Sequence, residues 1–102
     1  MHFFCKLNPP RPTFAQDMSA AEQQLMADHA SYWREWMDRG HVVVFGLAAD
    51  PSGAYGIGVV EFPSVEQARA FADGDPTVKA AAGFRLDVHP MPFGAVVAQT
   101  TS

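Results

Sequence analysis

His29 lies in the stretch "LMADHASYWREW" (Leu25 to Trp36), where helical spacing puts Leu25, His29, Tyr32, Trp33 and Trp36 on one face. An imidazole turned into such an apolar stripe must find a hydrogen-bond partner or bear a desolvation cost. Histidine is also the side chain whose ordinary titration range lies nearest neutrality, which suits it to general acid or base chemistry. The partner that chemistry needs is a carboxylate. By accepting from one ring nitrogen, a carboxylate fixes the tautomer and leaves the other nitrogen free to take or give a proton. Asp75, in "GDPT", is the candidate. It follows the second predicted helix and falls in the same layer as the first, so a hydrogen bond to His29 is geometrically open. Two plainer readings stand beside the pair: His29 as a satisfied core residue, and Asp75 as the N-cap of a short helix with Pro76 at its first position.

The elements that must position these residues follow from patterning. "HFFCKL" (His2 to Leu7) reads as a strand with Phe3, Cys5 and Leu7 on one face and Phe4 on the other. The stretch 8–18, "NPPRPTFAQDM", has three prolines, which exclude regular helix or interior strand and predict a surface connection able to act as a lid. Ser19 and Glu22 form a capping box, and the helix they open is expected to run to about Arg39 and stop at Gly40. "HVVVFGLAAD" is a near-continuous apolar run, predicted to lie in the sheet centre. "DPSG" should turn the chain back into "YGIGVVEF", where Gly56 and Gly58 share a face against which something packs closely.

A second capping box, "SVEQ", opens a shorter helix with Val65, Ala68, Phe71 and Ala72 inward. "FRLDVH" alternates as a strand with Phe84, Leu86 and Val88 on the core face, and "GAVVA" is read as a short terminal strand. The order βαββαβ predicts a ferredoxin-like α+β fold, a four-stranded antiparallel sheet with two helices on one face, as a single domain over 1–102. The other face is left open, with Phe4, Val60 and Phe62 expected on it. An apolar face of that kind predicts a homodimer.

Bulk properties narrow the function classes. The 102 residues are 48% hydrophobic, enough for a modest core, and the net charge is −4. Without a basic cluster the chain is not expected to bind nucleic acid. It has no run of about 20 apolar residues to span a membrane and no secretory pattern, so a cytoplasmic protein is expected. The lone Cys5 excludes an internal disulfide and reads as a small buried hydrophobe. No metal is expected, since no H-x-x-x-H or H-E-x-x-H pattern occurs. His2 reads as solvated, His41 as a residue at a helix C-terminus, and His89 as a surface residue.

The chain resembles the YciI-like (YCII-related) family of small α+β proteins. The resemblance rests on His29 within the first helix, the glycine that closes it, "VVFG" (Val43 to Gly46), "SVEQARAFADGDPTVKAAAGF" (Ser64 to Phe84) and "HPMPF" (His89 to Phe93). It implies a dimeric ferredoxin-like fold of the α+β barrel type. It also implies a His–Asp pair in a small pocket, falling here on His29 and Asp75, and lyase, dehydrochlorinase or isomerase chemistry on small ring compounds.

Two functions from different classes fit these observations. In the first, His29 is the general acid/base, Asp75 orients it, and Tyr32, Trp33 and Phe45 shape an apolar pocket for the substrate. No cofactor is implied, because "GIG" lacks the rest of a glycine-rich phosphate loop. In the second, the same pocket or the sheet face holds a ligand or partner without catalysis. A hydrogen bond between His29 and Asp75 beside an open pocket favours the first, and a filled core around His29 the second.

Overall fold

The computed structural model describes residues 1–97. The chain runs β1 (His2–Asn8), α1 (Phe14–Asp17), α2 (Ala20–Asp38), β2 (Val42–Ala48), β3 (Tyr55–Glu61), α3 (Val65–Asp73), α4 (Pro76–Lys79) and β4 (Arg85–Met91). The strands pair antiparallel in the order β2-β3-β1-β4, and the helices pack on one side, which is the ferredoxin-like α+β arrangement. Among the described residues no helix is long and apolar enough to cross a membrane.

Local chemistry accounts for the element ends. The Ser19 hydroxyl accepts from the Glu22 N–H at 3.1 Å and the Ser19 N–H donates to Glu22 Oε1 at 2.9 Å, so the first capping box is complete. The helix stops where Gly40 takes a φ of +89°. At α3 only half of a box forms. Ser64 accepts from the Gln67 N–H, but the Gln67 side chain does not return to the cap amide. The loop 8–18 is not wholly irregular: its prolines end at Pro12, and the free amides that follow close one helical turn, α1, with Phe14 buried.

Three expectations about the sheet change. The apolar run of β2 lies at an edge, not the centre, and exposes Val43, Val44 and Leu47. Its apolarity has two sources: Val42 and Phe45 face the helices, while Val44 faces the open side past a register shift between Val42 and Val44. Val60 and Phe62 are not on the open face either. Period two puts them with Gly56 and Gly58, the side on which Trp33 packs, and both are buried there. The open face carries Phe4, Ile57, Val59 and Val44 instead. Finally, residues 94–97 form no strand, and Ala98 of "GAVVA" lies outside the described residues.

The core between sheet and helices gathers Phe3, Cys5, Trp33, Val42, Val60, Phe62, Ala68 and Phe71. Trp33 fits only because β3 presents Gly58 to it. A Cβ built there would lie 2.6 Å from Cη2 of the indole.

Candidate active site

Asp75 is wholly buried between α3 and α4 and has four donors. Its Oδ1 accepts from the Thr77 N–H at 2.9 Å and from the Thr77 hydroxyl at 2.7 Å. Its Oδ2 accepts from Trp33 Nε1 at 2.6 Å and lies 2.8 Å from His29 Nδ1. A carboxylate ringed by donors is held ionised. Burial pushes the Asp75 carboxyl up, but the hydrogen bond and charge of His29, with the bonds from Thr77 and Trp33, outweigh it and hold the group below its ordinary value. An ionised carboxylate only accepts, so His29 Nδ1 is the donor. Both plain readings of the sequence are therefore partly true: Asp75 caps α4 and also receives the histidine.

With Nδ1 committed, the chemistry of the ring lies at Nε2. That nitrogen has no hydrogen-bond partner among the described residues, and no buried side-chain nitrogen or oxygen there is left unpaired, so Nε2 is open to solvent. His29 keeps 13% of its side chain exposed and borders a cavity of about 340 Å³. The cavity runs between α2, the start of β3, the end of β2 and the loop 8–18. Phe14, Met18, Met26, Phe45, Leu47 and Phe84 give it apolar walls.

The loop forms its roof and is tied down. Arg11 bonds both Glu22 oxygens, at 2.7 and 2.8 Å, and Asp17 Oδ1 at 2.8 Å, joining the loop to the first turn of α2. The hydrogen bonds from Arg11, seconded by the Ser19 amide, hold the Glu22 carboxyl down to about 2. Phe14 packs edge-on against Phe84 at 5.1 Å. Pro10 and Pro12 pass beside Gly83 and Gly53, where a Cβ would stand 2.9 and 3.1 Å from them. Both glycines also have positive φ, so each turn needs glycine twice over.

The residues read from the sequence take different places. His29 and Asp75 meet, and Phe45 lines the cavity. Trp33 is buried behind the histidine and acts on Asp75 through its N–H rather than as a cavity wall. Tyr32 is turned away, donating its hydroxyl to the Phe71 carbonyl at 2.8 Å and packing over Gly74. Sequence reasoning missed Thr77, although a threonine two residues after a capping aspartate is a usual partner for it. It also missed Phe14, Met18 and Phe84, whose meeting depends on where a proline-rich loop lands.

Cys5 lies close behind this site. Burial and the nearby Asp75 charge push its thiol up to about 12, so it stays protonated. Among the described residues no three His, Cys, Asp or Glu side chains gather as a metal site.

The family model for the YCII-related domain matches residues 2–92. The fold is similar to that of the 5-chloro-2-hydroxyhydroquinone dehydrochlorinase from Burkholderia phenoliruptrix AC1100, solved in complex with 2,5-dihydroxybenzoquinone. The two share 18% identity at a TM-score of 0.55, over 83% of this chain and 90% of that one, a likeness that shows the fold alone. No curated protein matches the chain.

Proposed function

This chain belongs to the YCII-related domain family, and from that premise we propose that it is a small-molecule enzyme using His29 as general acid/base and Asp75 to orient it. The observation that carries the reading is the 2.8 Å contact between His29 Nδ1 and Asp75 Oδ2, with Nε2 left open beside the cavity. Asp75 fixes the tautomer and stabilises the imidazolium that forms when Nε2 takes a proton. The cavity, at about 340 Å³, suits one small ring compound. Lyase, dehydrochlorinase and isomerase steps all need such a single base. In a dehydrochlorination the substrate proton would pass to Nε2 and chloride would leave with the carbon–chlorine electron pair. The similar solved enzyme is named as a dehydrochlorinase, which supports that choice of reaction.

The test is a panel of chlorinated and hydroxylated ring compounds, followed by chloride release and ultraviolet spectra. Turnover by the wild type that is lost in His29→Asn and strongly reduced in Asp75→Asn is expected. Turnover unchanged in His29→Asn overturns the mechanism and leaves the pocket as a non-catalytic binding site.

Two further features belong to this reading. The open sheet face, with Phe4, Val44, Ile57 and Val59, would be covered in a homodimer. A monomeric mass by light scattering at micromolar concentration counts against that. A cytoplasmic location is the second feature, and fractionation of cells that express the chain tests it.

A further inference from the structure

Of the two glycines on the helix side of β3, the fold uses one. The Trp33 ring packs on Gly58. Gly56 has no such neighbour. The three atoms nearest to a Cβ built there all belong to the sheet: Leu7 Cβ at 3.1 Å, Leu7 Cδ2 at 3.7 Å and the Gly46 carbonyl oxygen at 3.9 Å. Nor does the backbone demand glycine, because positive φ falls at Gly40, Gly53 and Gly83 and not at Gly56. A bare stretch of strand that neither packing nor backbone conformation fully explains is a place where something outside the fold can approach closely.

That place lies beneath the histidine. Four residues of helix rise about 6 Å and two residues of strand about 6.6 Å. His29 therefore stands over Gly56 as Trp33 stands over Gly58, and all four border one small internal space. An imidazole is smaller than an indole, and here Asp75 anchors it by Nδ1, so it does not fill its place as Trp33 does. The gap belongs to the larger cavity too, since Leu7, His29 and Gly56 line both.

We propose that Gly56 is a specificity-determining residue: the ligand packs on its bare backbone as the indole packs on Gly58, and the missing side chain sets how thick a molecule can lie between the sheet and His29. This rests on the cavity being the functional site, as in the reading above. It adds the residue that fixes the shape of the ligand, whatever polar groups the ligand carries.

Toluene and xenon, two uncharged probes of different size, test it on the whole chain with ¹³C-labelled methionine methyls. Met18 and Met26 line the cavity, and Met37, packed against the core, is the reference. In the wild type both probes should move the Met18 and Met26 signals. In Gly56→Ala toluene should bind at least about tenfold more weakly, because the added methyl overfills the floor, while xenon still binds. The urea midpoint should fall less than in Gly58→Ala, where the methyl meets an indole locked in the core rather than the facing strand. The proposal is overturned by toluene binding unchanged in Gly56→Ala, by loss of xenon together with toluene, by a stability loss as large as that of Gly58→Ala, or by no toluene binding in the wild type. Binding and turnover separate the two readings. A Gly56-dependent toluene site without turnover of any ring compound removes the enzyme alone, whereas His29-dependent turnover with toluene bound equally by both proteins removes this inference alone.

Discussion

His29 and Trp33, one helical turn apart on α2, share a single oxygen of Asp75, at 2.8 and 2.6 Å. Both are fixed by the same anion, so the position of the histidine depends on a tryptophan that never reaches the cavity.

The shared anion sets the tautomer. In wild-type protein the neutral His29 ring should carry its proton on Nδ1, visible in ¹⁵N–¹H correlation spectra, and in Asp75→Asn the two tautomers should mix. A proton on Nε2 in the wild type would remove the premise of the proposed chemistry.

Asp75→Asn should also cost stability. The amide keeps the shape but turns its NH₂ toward either the Thr77 donors or the His29–Trp33 pair, and no rotation satisfies both sets. Urea denaturation should show a loss of about 1–3 kcal/mol. An unchanged midpoint would mean the buried donors find other partners.

The acid limb of stability follows from the same group. The folded carboxyl of Asp75 is held below its ordinary value, so between that value and the folded one the unfolded chain binds more protons. The stabilisation is thus fully present above the ordinary carboxylate pKa of about 3.9 and is lost as pH falls through the lower folded value. Asp17, Glu22, Asp50 and Asp87 are lowered too, so both proteins should weaken in acid. Denaturation curves below about pH 4 should nevertheless fall more steeply for wild type than for Asp75→Asn. Equal slopes would contradict the assignment.

Gly58→Ala tests the packing behind the pair. The added methyl meets the Trp33 ring and must displace it. A loss of about 1–3 kcal/mol is expected, with a shift in tryptophan fluorescence. Retention of wild-type stability and spectrum would show that the ring has room to move.

Arg11→Met should free the roof without unfolding the chain. The guanidinium links exposed Asp17 to half-buried Glu22 at the rim of the fold, so its removal should lower the urea midpoint only slightly while limited proteolysis within 9–18 becomes faster. Unaltered cleavage there would mean that Phe14 and the prolines hold the loop by themselves.

The sequence carries some of this more openly than the rest. Ser19, Glu22 and the stripe from Leu25 to Trp36 are local patterns, and α2 forms as they require. The meeting of His29 and Asp75 was no more than permitted by the layer order of the fold, and it was the resemblance to the YCII-related family that singled out the pair. The strand order was less accessible. An apolar run looks the same at an edge or in the centre, and only the insertion of β1 between β3 and β4 puts β2 outside. Val60 and Phe62 share the parity of Gly56 and Gly58, the two glycines that mark the side on which an indole packs, so period two along the strand puts them in the core rather than on the open face. Tyr32 and Trp33 look equivalent in the stripe, but consecutive helical positions diverge by about 100°, and the tyrosine turns to Phe71 while the tryptophan reaches Asp75.

Asp75 holds two posts at once, as the cap of α4 and as the acceptor for His29. The two would part company in a descendant that dispensed with the proposed chemistry. Selection for folding alone would go on retaining the aspartate, with Thr77 and Trp33 around it, while nothing would retain the imidazole. The Asp-Pro-Thr segment would therefore speak of architecture first, and the histidine would be the more telling sign of a working site.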